Sequence, residues 1–457
     1  MITPPATPAS SSARVSAASG PFPIIAILPW GDFIEDFLDA IGVSLEEFSS
    51  RMTGGWLFGY IEALRLQRIR SAIFCFSKNV KGTVHAMHQG TGAEIVILPP
   101  SFIYQKIRER IKDPYGTSVQ QMFGHTRGLA YQAQRLMYPV VPFLATPVTA
   151  LAREIRRVGC SAILCQEYET PRFDAAIAIG TLLRIPVFAT FQGGNWQRSK
   201  IERRLRPLTL RRSAGLIIGS SMEAARVRAR YGVSAEKISS IFNPLDLPDW
   251  RPGSQPDARR KLGIAEATRV AIWHGRIDIY SKGLDILLQA WKEVCSLRNG
   301  RDLLLLVIGS GRDAEKFGEN ISRMGVPQIR WVREYILSRA AMREYLNAAD
   351  VYVFTSRHEG FPVAPLEAMA CGLPVVAAAA SGVPDIFADG EEHGGIVVPI
   401  DDAASVAKSL GRLLDDDEAA RVLGPRARAR AKKAFSLENV GAQLFDFFQA
   451  RGALTTK

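Results

Sequence analysis

Residues 351–378 read VYVFTSRHEGFPVAPLEAMACGLPVVAA and carry the clearest fold signal in the chain. Apolar runs at 351–354 and 374–378 predict two strands. Between them, Pro365 stands where a first helical position is favoured, and Gly372 follows as a helix stop. The stretch therefore predicts strand, loop, short helix and strand, which is the repeating unit of a parallel sheet with crossover helices.

The same alternation extends from this stretch in both directions and predicts two sheets of one fold class. The second half has further apolar strands expected at 270–274, 303–308, 328–332 and 395–398. The first half has strands expected at 24–28, 72–76, 94–98, 162–165, 186–190 and 215–218. Amphipathic segments separate these runs, so the chain is predicted to be α/β, with two Rossmann-like, doubly wound parallel sheets that face each other across a cleft.

The chain length and a proline-containing linker indicate the same division into two domains. Its 457 residues exceed what one hydrophobic core usually organises, and the proline-marked stretch 243–256 interrupts the alternation as a linker would. The first residues are rich in Pro, Ala and Ser and lack the apolar core of a signal peptide. We expect a disordered tail at 1–20, a first domain at 21–245, a second at 246–435, and a closing helix at 436–457 that packs back on the first.

Charge and cysteine content restrict the partners. The net charge is +12, which favours anionic partners such as a phosphorylated substrate or an acidic membrane surface, with a solvated helix face as the alternative. The basic runs 198–212 and 426–433 contain no aromatic residue, so nucleic acid is not expected. Five scattered cysteines form no zinc pattern and are typical of a reducing compartment. The expected location is the cytoplasm, and a peripheral contact with the inner membrane face stays open.

Two glutamates in the opening stretch are candidates for ligand binding. Glu359 lies in the loop after the strand and Glu367 in the first helical turn, so both face the carboxyl edge of the sheet, where α/β folds bind ligands. Backbone amides near Val363 and Ala364 at the helix start are free to hold a phosphate. The alternative is structural: Glu367 favours the helix dipole, and Glu359 is a solvated loop residue.

A cationic pair follows the strand at 270–274. Arg276 comes directly after Gly275 at the strand end, and Lys282 precedes the next helix, so both are placed to neutralise a departing diphosphate without a metal. The alternative is that both are surface cations near the start of a helix. The turn at Gly309 and Gly311 lets the backbone approach a nucleotide closely, or is a tight turn without ligand contact. It lacks the third glycine of the dinucleotide pattern, so an NAD site is disfavoured, and no cofactor is expected.

In the first half, Gly54 and Gly55 precede a helix and are candidates for the acceptor side of the cleft, or form only a helix-start turn. Six histidines are scattered along the chain, and none is assigned as a base.

Taken together, these motifs resemble the retaining glycosyltransferases of glycosyltransferase family 4, which have the GT-B fold; the match is specific over 270–400. The resemblance implies that Glu359 lies near the donor sugar hydroxyls, that Glu367 holds the nucleotide ribose, and that Arg276 and Lys282 contact the diphosphate. It also implies a phosphate-side loop at Gly54 and Gly55. The remaining donor-binding residues that it implies are Gly275, Gly309, Gly311, Gly360, Phe361, Val363 and Ala364.

The first domain departs from that family pattern at two strand ends. Where many relatives have a histidine before an acidic residue, this chain reads Cys165-Gln166-Glu167, and where they read His-Gly it reads Gln192-Gly193. The resemblance still implies retaining transfer from a nucleotide-diphosphate sugar to a glycan or lipid-linked acceptor. The alternatives are a nucleotide-sugar epimerase or hydrolase on the same fold, or a non-catalytic nucleotide-sugar-binding subunit.

Overall fold

A computed structural model describes residues 22–114, 116, 118–194 and 199–455 of the chain. The tail predicted at residues 1–20 and the last two residues of the predicted closing helix segment lie outside the described residues.

The first domain contains one large sheet in the described part of the chain. Its strands are β1 Ile24–Leu28, β2 Arg70–Phe76, β3 Val84–Met87, β4 Glu94–Leu98, β5 Ala162–Gln166, β6 Val187–Thr190, β7 Gly215–Ile217 and β8 Ile238–Ser239. They are ordered β3-β4-β2-β1-β5-β6-β7-β8, and every neighbouring pair is parallel except β3 with β4. β1 and β5 are neighbours although β2 to β4 intervene in sequence, so the strand order reverses between them, which is where such sheets bind ligands.

Helices cover both faces of this sheet. They are α1 Glu35–Ile41, α2 Leu45–Ser50, α3 Tyr60–Leu66, α4 Phe102–Arg108, α5 Val119–Phe123, α6 Gly128–Met137, α7 Val141–Leu144, α8 Val148–Val158, α9 Pro171–Leu183, α10 Lys200–Arg212 and α11 Ser221–Tyr231. A short π-helical turn at Gly55–Gly59 leads into α3. α1 and α2 fill the long segment between β1 and Gly54, and α4 to α7 fill the segment between β4 and α8.

The second domain has its own parallel sheet. Its strands are β9 Arg269–His274, β10 Leu303–Ile308, β11 Ile329–Val332, β12 Val351–Phe354, β13 Val375–Ala378 and β14 Gly395–Val398, in the order β11-β10-β9-β12-β13-β14. The strand order reverses between β9 and β12. The helices of the second half are α12 Gln255–Leu262, α13 Leu284–Ser296, α14 Ala314–Met324, α15 Arg339–Ala348, α16 Ala364–Ala370, α17 Val383–Ile386, α18 Ala403–Asp415, α19 Asp417–Phe435 and α20 Leu437–Gln449.

The predicted strands are confirmed to within two residues at either end, and two further strands appear. β3 is largely exposed and pairs antiparallel at the edge, so it has no buried apolar run to mark it in sequence. β8 is only two residues long. The expectation of purely parallel sheets is therefore wrong at β3 alone within the described strands.

α20 lies against the first domain although it follows the second in sequence. Val440, Leu444 and Phe448 are buried in the same apolar cluster as the inner face of β1 and β2, and the Phe448 ring centroid lies 4.7 Å from that of Phe188 on β6. The chain thus crosses between the domains twice. The crossings touch, since the Leu245 amide donates to the Phe435 carbonyl over 2.7 Å.

Among the described helices, no single one is long and apolar enough to cross a membrane. α6 and the run Val141–Val158 pass that test only as a pair, by length and composition, and they are bent by 58° relative to each other.

Candidate active site

The loop between β9 and α13 holds the two predicted cations, and it is braced from inside. One carboxylate oxygen of Asp278 accepts from the Ser281 amide over 3.0 Å, and the other accepts from Arg312 over 2.9 Å. Burial raises the pKa of Asp278, but these donors and the nearby positive charges outweigh it and hold the pKa below its usual value. The carboxylate stays ionised, so the backbone that carries Arg276 and Lys282 is fixed.

The glycine turn after β10 packs directly on this loop. Gly309 has φ 147°, and a Cβ there would lie 1.9 Å from the Gly275 carbonyl oxygen; a Cβ at Gly311 would lie 2.3 Å from the Ile277 carbonyl oxygen. Glycine is therefore required at both positions for backbone to approach backbone. Contact of this turn with a nucleotide stays a prediction.

Lys282 and Glu359 form an ion pair across the ends of β9 and β12. The Lys282 Nζ lies 2.6 Å from Glu359 Oε1, with the two side chains 20% and 12% exposed. The pairing is supported by the backbone, because the Arg357 amide donates to the Ser281 carbonyl over 2.9 Å. Glu359 is thus not the solvated loop residue of the structural alternative.

Glu367 has a different partner, which the sequence did not reveal. Its Oε2 lies 2.7 Å from His274 Nε2, and the other ring nitrogen of His274 has no hydrogen-bond partner in the described part of the chain. Glu367 enters at the first turn of α16, where an acidic side chain suits the helix dipole, so the favourable dipole and the pairing with His274 coexist.

The cavity beside this pair is lined by both domains. Thr53 and Gly54 line it from the first domain, and His274, Gly275 and Glu367 from the second; Gly309 is a further lining residue. Gly55 follows Gly54 and starts the π-helical turn. The structure therefore gathers predicted residues from four separate segments at one cleft.

Arg276 and Lys282 lie on the loop after β9, and Glu359 lies on the loop after β12, but these three residues do not line that cavity. Burial raises the pKa of Tyr335, a residue that lines the cavity, to about 12; the charge of Glu367 adds to this rise, and the charge of Arg276 opposes it. The Arg276 side chain is half-buried, and its positive charge helps to hold the pKa of the Asp278 carboxyl below its usual value.

The remaining predicted donor residues face protein. The Phe361 ring stacks on Phe242 with centroids 4.9 Å apart and is 6% exposed, which makes it part of the apolar packing between the domains. A Cβ at Gly360 would lie 2.6 Å from the Gln192 carbonyl carbon, so this glycine permits close approach of the first domain. Val363 and Ala364 are half-buried at the start of α16. Their role in donor binding stays a prediction.

Glu167 lies at the end of β5, and its carboxyl group is buried. The sequence indicated it only as part of a departure from the family pattern. Its Oε1 accepts from the Glu169 amide over 2.8 Å, and its Oε2 accepts from the amides of Gln192 and Gly194 over 3.1 and 2.8 Å. Burial raises its pKa to about 7, although these amides oppose the shift.

The backbone of Glu167 is itself unusual. Its φ of 128° lies in the left-handed half of conformational space, which a residue with a side chain rarely adopts. The loop that it holds presses on the second domain, since a Cβ at Gly193 would lie 3.1 Å from the Gly360 amide nitrogen. The sequence signal that could have indicated Glu167 as a candidate site residue is its position as an acidic residue directly after a buried strand.

Arg339, at the start of α15, bridges the domains at the far wall of the cavity. Its guanidinium lies 3.1 Å from Glu62 of α3 and 3.0 Å from each of Asp246 and Asp249 in the linker. Burial raises the pKa values of Glu62 and Asp246, which the arginine opposes. No sequence signal joins positions this far apart.

No three His, Cys, Asp or Glu side chains lie close enough to hold a metal ion among the residues that the structure describes. The absence of a metal requirement stays a prediction.

Two family models match the chain, and they follow one another. The model for glycosyltransferase family 4 matches residues 122–248, and the model for glycosyl transferases group 1 matches residues 254–430. Among curated proteins, D-inositol 3-phosphate glycosyltransferase of Thermobifida fusca is 31% identical over 209 residues, covering 44% of this chain and 47% of the relative. The same enzyme of Segniliparus rotundus is 30% identical, over 51% of this chain and 52% of the relative. The alignments span about half the length of these relatives.

Solved structures match over nearly the whole chain. Sucrose-phosphate synthase from Thermosynechococcus elongatus superposes with a TM-score of 0.68 at 19% identity, over 95% of this chain and all of that one. Anabaena HepE in complex with UDP and glucose gives a TM-score of 0.65 at 16% identity, over 93% of this chain and 99% of that one. At these identities the likeness is one of fold, and it confirms the two-domain GT-B architecture.

Proposed function

Since this chain belongs to glycosyltransferase family 4, we propose that it is a retaining glycosyltransferase, which moves a sugar from a nucleotide-diphosphate donor to a glycan or lipid-linked acceptor without a bound metal. Its solved structural relatives include a protein in complex with UDP-glucose, which supports a donor of that chemical type.

One observation carries the proposal. At the carboxyl edge of the second sheet, where the strand order reverses, the Lys282–Glu359 and His274–Glu367 pairs and Arg276 lie at the ends of two adjacent strands, and His274 and Glu367 line the cavity between the domains. Both carboxylates are held by a basic side chain, so the edge presents cations and oriented acceptors together. This combination suits a sugar with its hydroxyls and a pyrophosphate with its charge.

The proposed reaction needs no nucleophile from the protein. The bond between the sugar C1 and the diphosphate oxygen breaks, Arg276 and Lys282 stabilise the charge that develops on that oxygen, and the acceptor oxygen bonds to C1 from the same face. The acceptor proton passes to the departing phosphate, so atoms and charge balance. The protein contributes positioning and fixed electrostatics, which are large terms in catalysis.

Variants of the Lys282–Glu359 pair test the proposal. Lys282→Met and Glu359→Gln are each expected to lower sugar transfer by about 100- to 1,000-fold, as removal of a preorganised charge at a developing anion does. The double variant leaves no lone buried charge, so it should regain thermal stability while transfer stays low. The exposed Lys316 on α14 supplies the control, Lys316→Met, which should behave as wild type.

Recovered transfer in the double variant would show that the pair serves folding alone and would remove the assignment. A thermal-shift panel of UDP, GDP and ADP sugars first identifies the donor, because a ligand that binds only the folded state stabilises it by mass action. Transfer that is abolished by EDTA and restored by a divalent cation would contradict the metal-free step. An altered donor sugar in the absence of acceptor would favour the epimerase or hydrolase alternative.

A further inference from the structure

Helix α6 turns its apolar side away from the protein. The exposed stripe consists of Leu129, Ala133, Leu136 and Met137, spaced as one face of a helix, together with Val140 just after the helix; Leu129 is 90% and Leu136 77% exposed. No residue of α6 itself is buried. An amphipathic helix of a globular domain normally packs its apolar face against the core, so the exposed apolar face of α6 indicates a binding surface.

Helix α4 also exposes large apolar side chains. Phe102 and Ile103 on its first turn are 73% and 61% exposed. The two helices belong to one excursion between β4 and α8, in which the Ser101 hydroxyl before α4 donates to the Leu144 carbonyl of α7 over 3.1 Å, and α7 follows α6 after three residues. Phe102 and Ile103 together with the α6 stripe are called the apolar patch below.

Basic side chains are frequent in the segment that carries the apolar patch. Residues 102–140 contain six Lys and Arg against two Asp and Glu. The basic residues are Lys106, Arg108, Arg110, Lys112, Arg127 and Arg135. All of these except Arg108 are exposed. Large apolar side chains interspersed with cations match the two layers of an anionic bilayer surface, its acyl region and its headgroups. A protein partner's apolar face offers no reason for the surrounding positive charge.

We propose that the apolar patch docks the protein on an anionic lipid bilayer, with α6 lying in the plane of the interface. Spanning is disfavoured by the fold, because the run Val141–Val158 that follows the bend ends in α8, whose Leu151, Ala152 and Ile155 are buried in the domain core.

The patch is connected to the cleft. The α4 side chains Tyr104 and Arg108 bond to Asp32 over 2.5 Å and Asp36 over 2.7 Å, and both aspartates follow β1 at the carboxyl edge of the first sheet. A bilayer on this patch therefore lies beside the edge that faces the second domain. This step rests on the proposed function. Of its two acceptor classes, glycan and lipid-linked, a bilayer beside the cleft favours the lipid-linked acceptor.

The test is co-sedimentation of the full chain with vesicles, without nucleotide sugar. Wild type should bind vesicles of equal parts phosphatidylcholine and phosphatidylglycerol at least about tenfold more tightly than pure phosphatidylcholine vesicles, and high salt should release it. Leu129→Ser/Leu136→Ser should lose about tenfold of that binding. The matched control Leu182→Ser/Leu297→Ser alters side chains that are 65% and 72% exposed elsewhere and should bind as wild type.

Equal vesicle binding by wild type and the α6 variant would overturn the proposal, and so would a wild-type dimer that the α6 variant converts to a monomer, since a second copy would then cover the patch. Unchanged thermal stability of the variant shows that lost binding is not lost folding. Donor hydrolysis measured without vesicles reports on the proposed function separately, because the patch contains no site residue.

Discussion

Glu167 offers a test in which the structure sets both the sign and the size of the effect. Its pKa is raised by burial to about 7, against 4.5 for an ordinary glutamate. Between these values the folded state holds a proton that the unfolded chain has released, so the free energy of unfolding falls as the pH rises. The cost of ionising this group in the folded protein reaches roughly 3 kcal/mol above neutral pH.

Glu167→Gln removes that titration while keeping the shape of the side chain. The protonated carboxyl group can still accept at its hydroxyl oxygen, whereas the glutamine NH2 group only donates and would face one or two of the amides of Glu169, Gln192 and Gly194, so the variant should be less stable at low pH by about 1–3 kcal/mol. As the pH rises from about 5 to about 8, wild type alone incurs the ionisation cost, and its advantage should shrink by roughly 2–3 kcal/mol.

Urea unfolding followed by tryptophan fluorescence at several pH values measures this difference. The exposed Glu315 on α14 provides the control, since Glu315→Gln should differ from wild type by the same small amount throughout. A constant gap between wild type and Glu167→Gln from about pH 5 to about pH 8 would refute the reasoning, because linkage leaves no other outcome for a group that titrates in this range.

Two further predictions concern the cleft. Arg339→Met leaves Glu62 and two linker aspartates without their cation, so the free energy of unfolding at pH 8, measured by thermal unfolding, should fall by about 3–5 kcal/mol. The loss should lessen at lower pH as the carboxylates are protonated. Wild-type stability of the variant at pH 8 would contradict this prediction. Gly309→Ala places a methyl group 1.9 Å from the Gly275 carbonyl and should cost more than 2 kcal/mol, roughly, whereas Gly54→Ala meets only a ring edge at 3.7 Å and should not. Equal unfolding temperatures for the two alanine variants would exclude a packing role for Gly309.

Most of the parallel strands were predictable because a strand that is buried on both faces reads as a short continuous apolar run, as in Leu303–Ile308. β3 was missed for the converse reason, since an exposed edge strand has no such run. The outward direction of α6 was equally out of reach: its helical period is visible in sequence, but the period is identical whether the apolar face meets the core or not.

At the candidate site, Arg276, Lys282, Glu359 and Glu367 were predicted to lie along one edge because parallel strands bring their carboxyl ends together, which sequence order alone indicates. Their pairing was not predictable. His274 and Glu367 are 93 positions apart, and the two glutamates, expected to flank one ligand together, each hold a different base. Such choices depend on side-chain direction within a few ångströms, which spacing along the chain does not encode.

The return of α20 to the first domain has a practical consequence for protein engineering. A hybrid made by joining the first 245 residues of this chain to the second domain of a relative would lack Phe447 and Phe448, and the surface of its first domain would have an open apolar trench where they belong. A functional exchange has to transfer residues 246–435 as an insert and retain the native C-terminal segment. The unit of recombination in this protein is therefore an interior cassette rather than a terminal half.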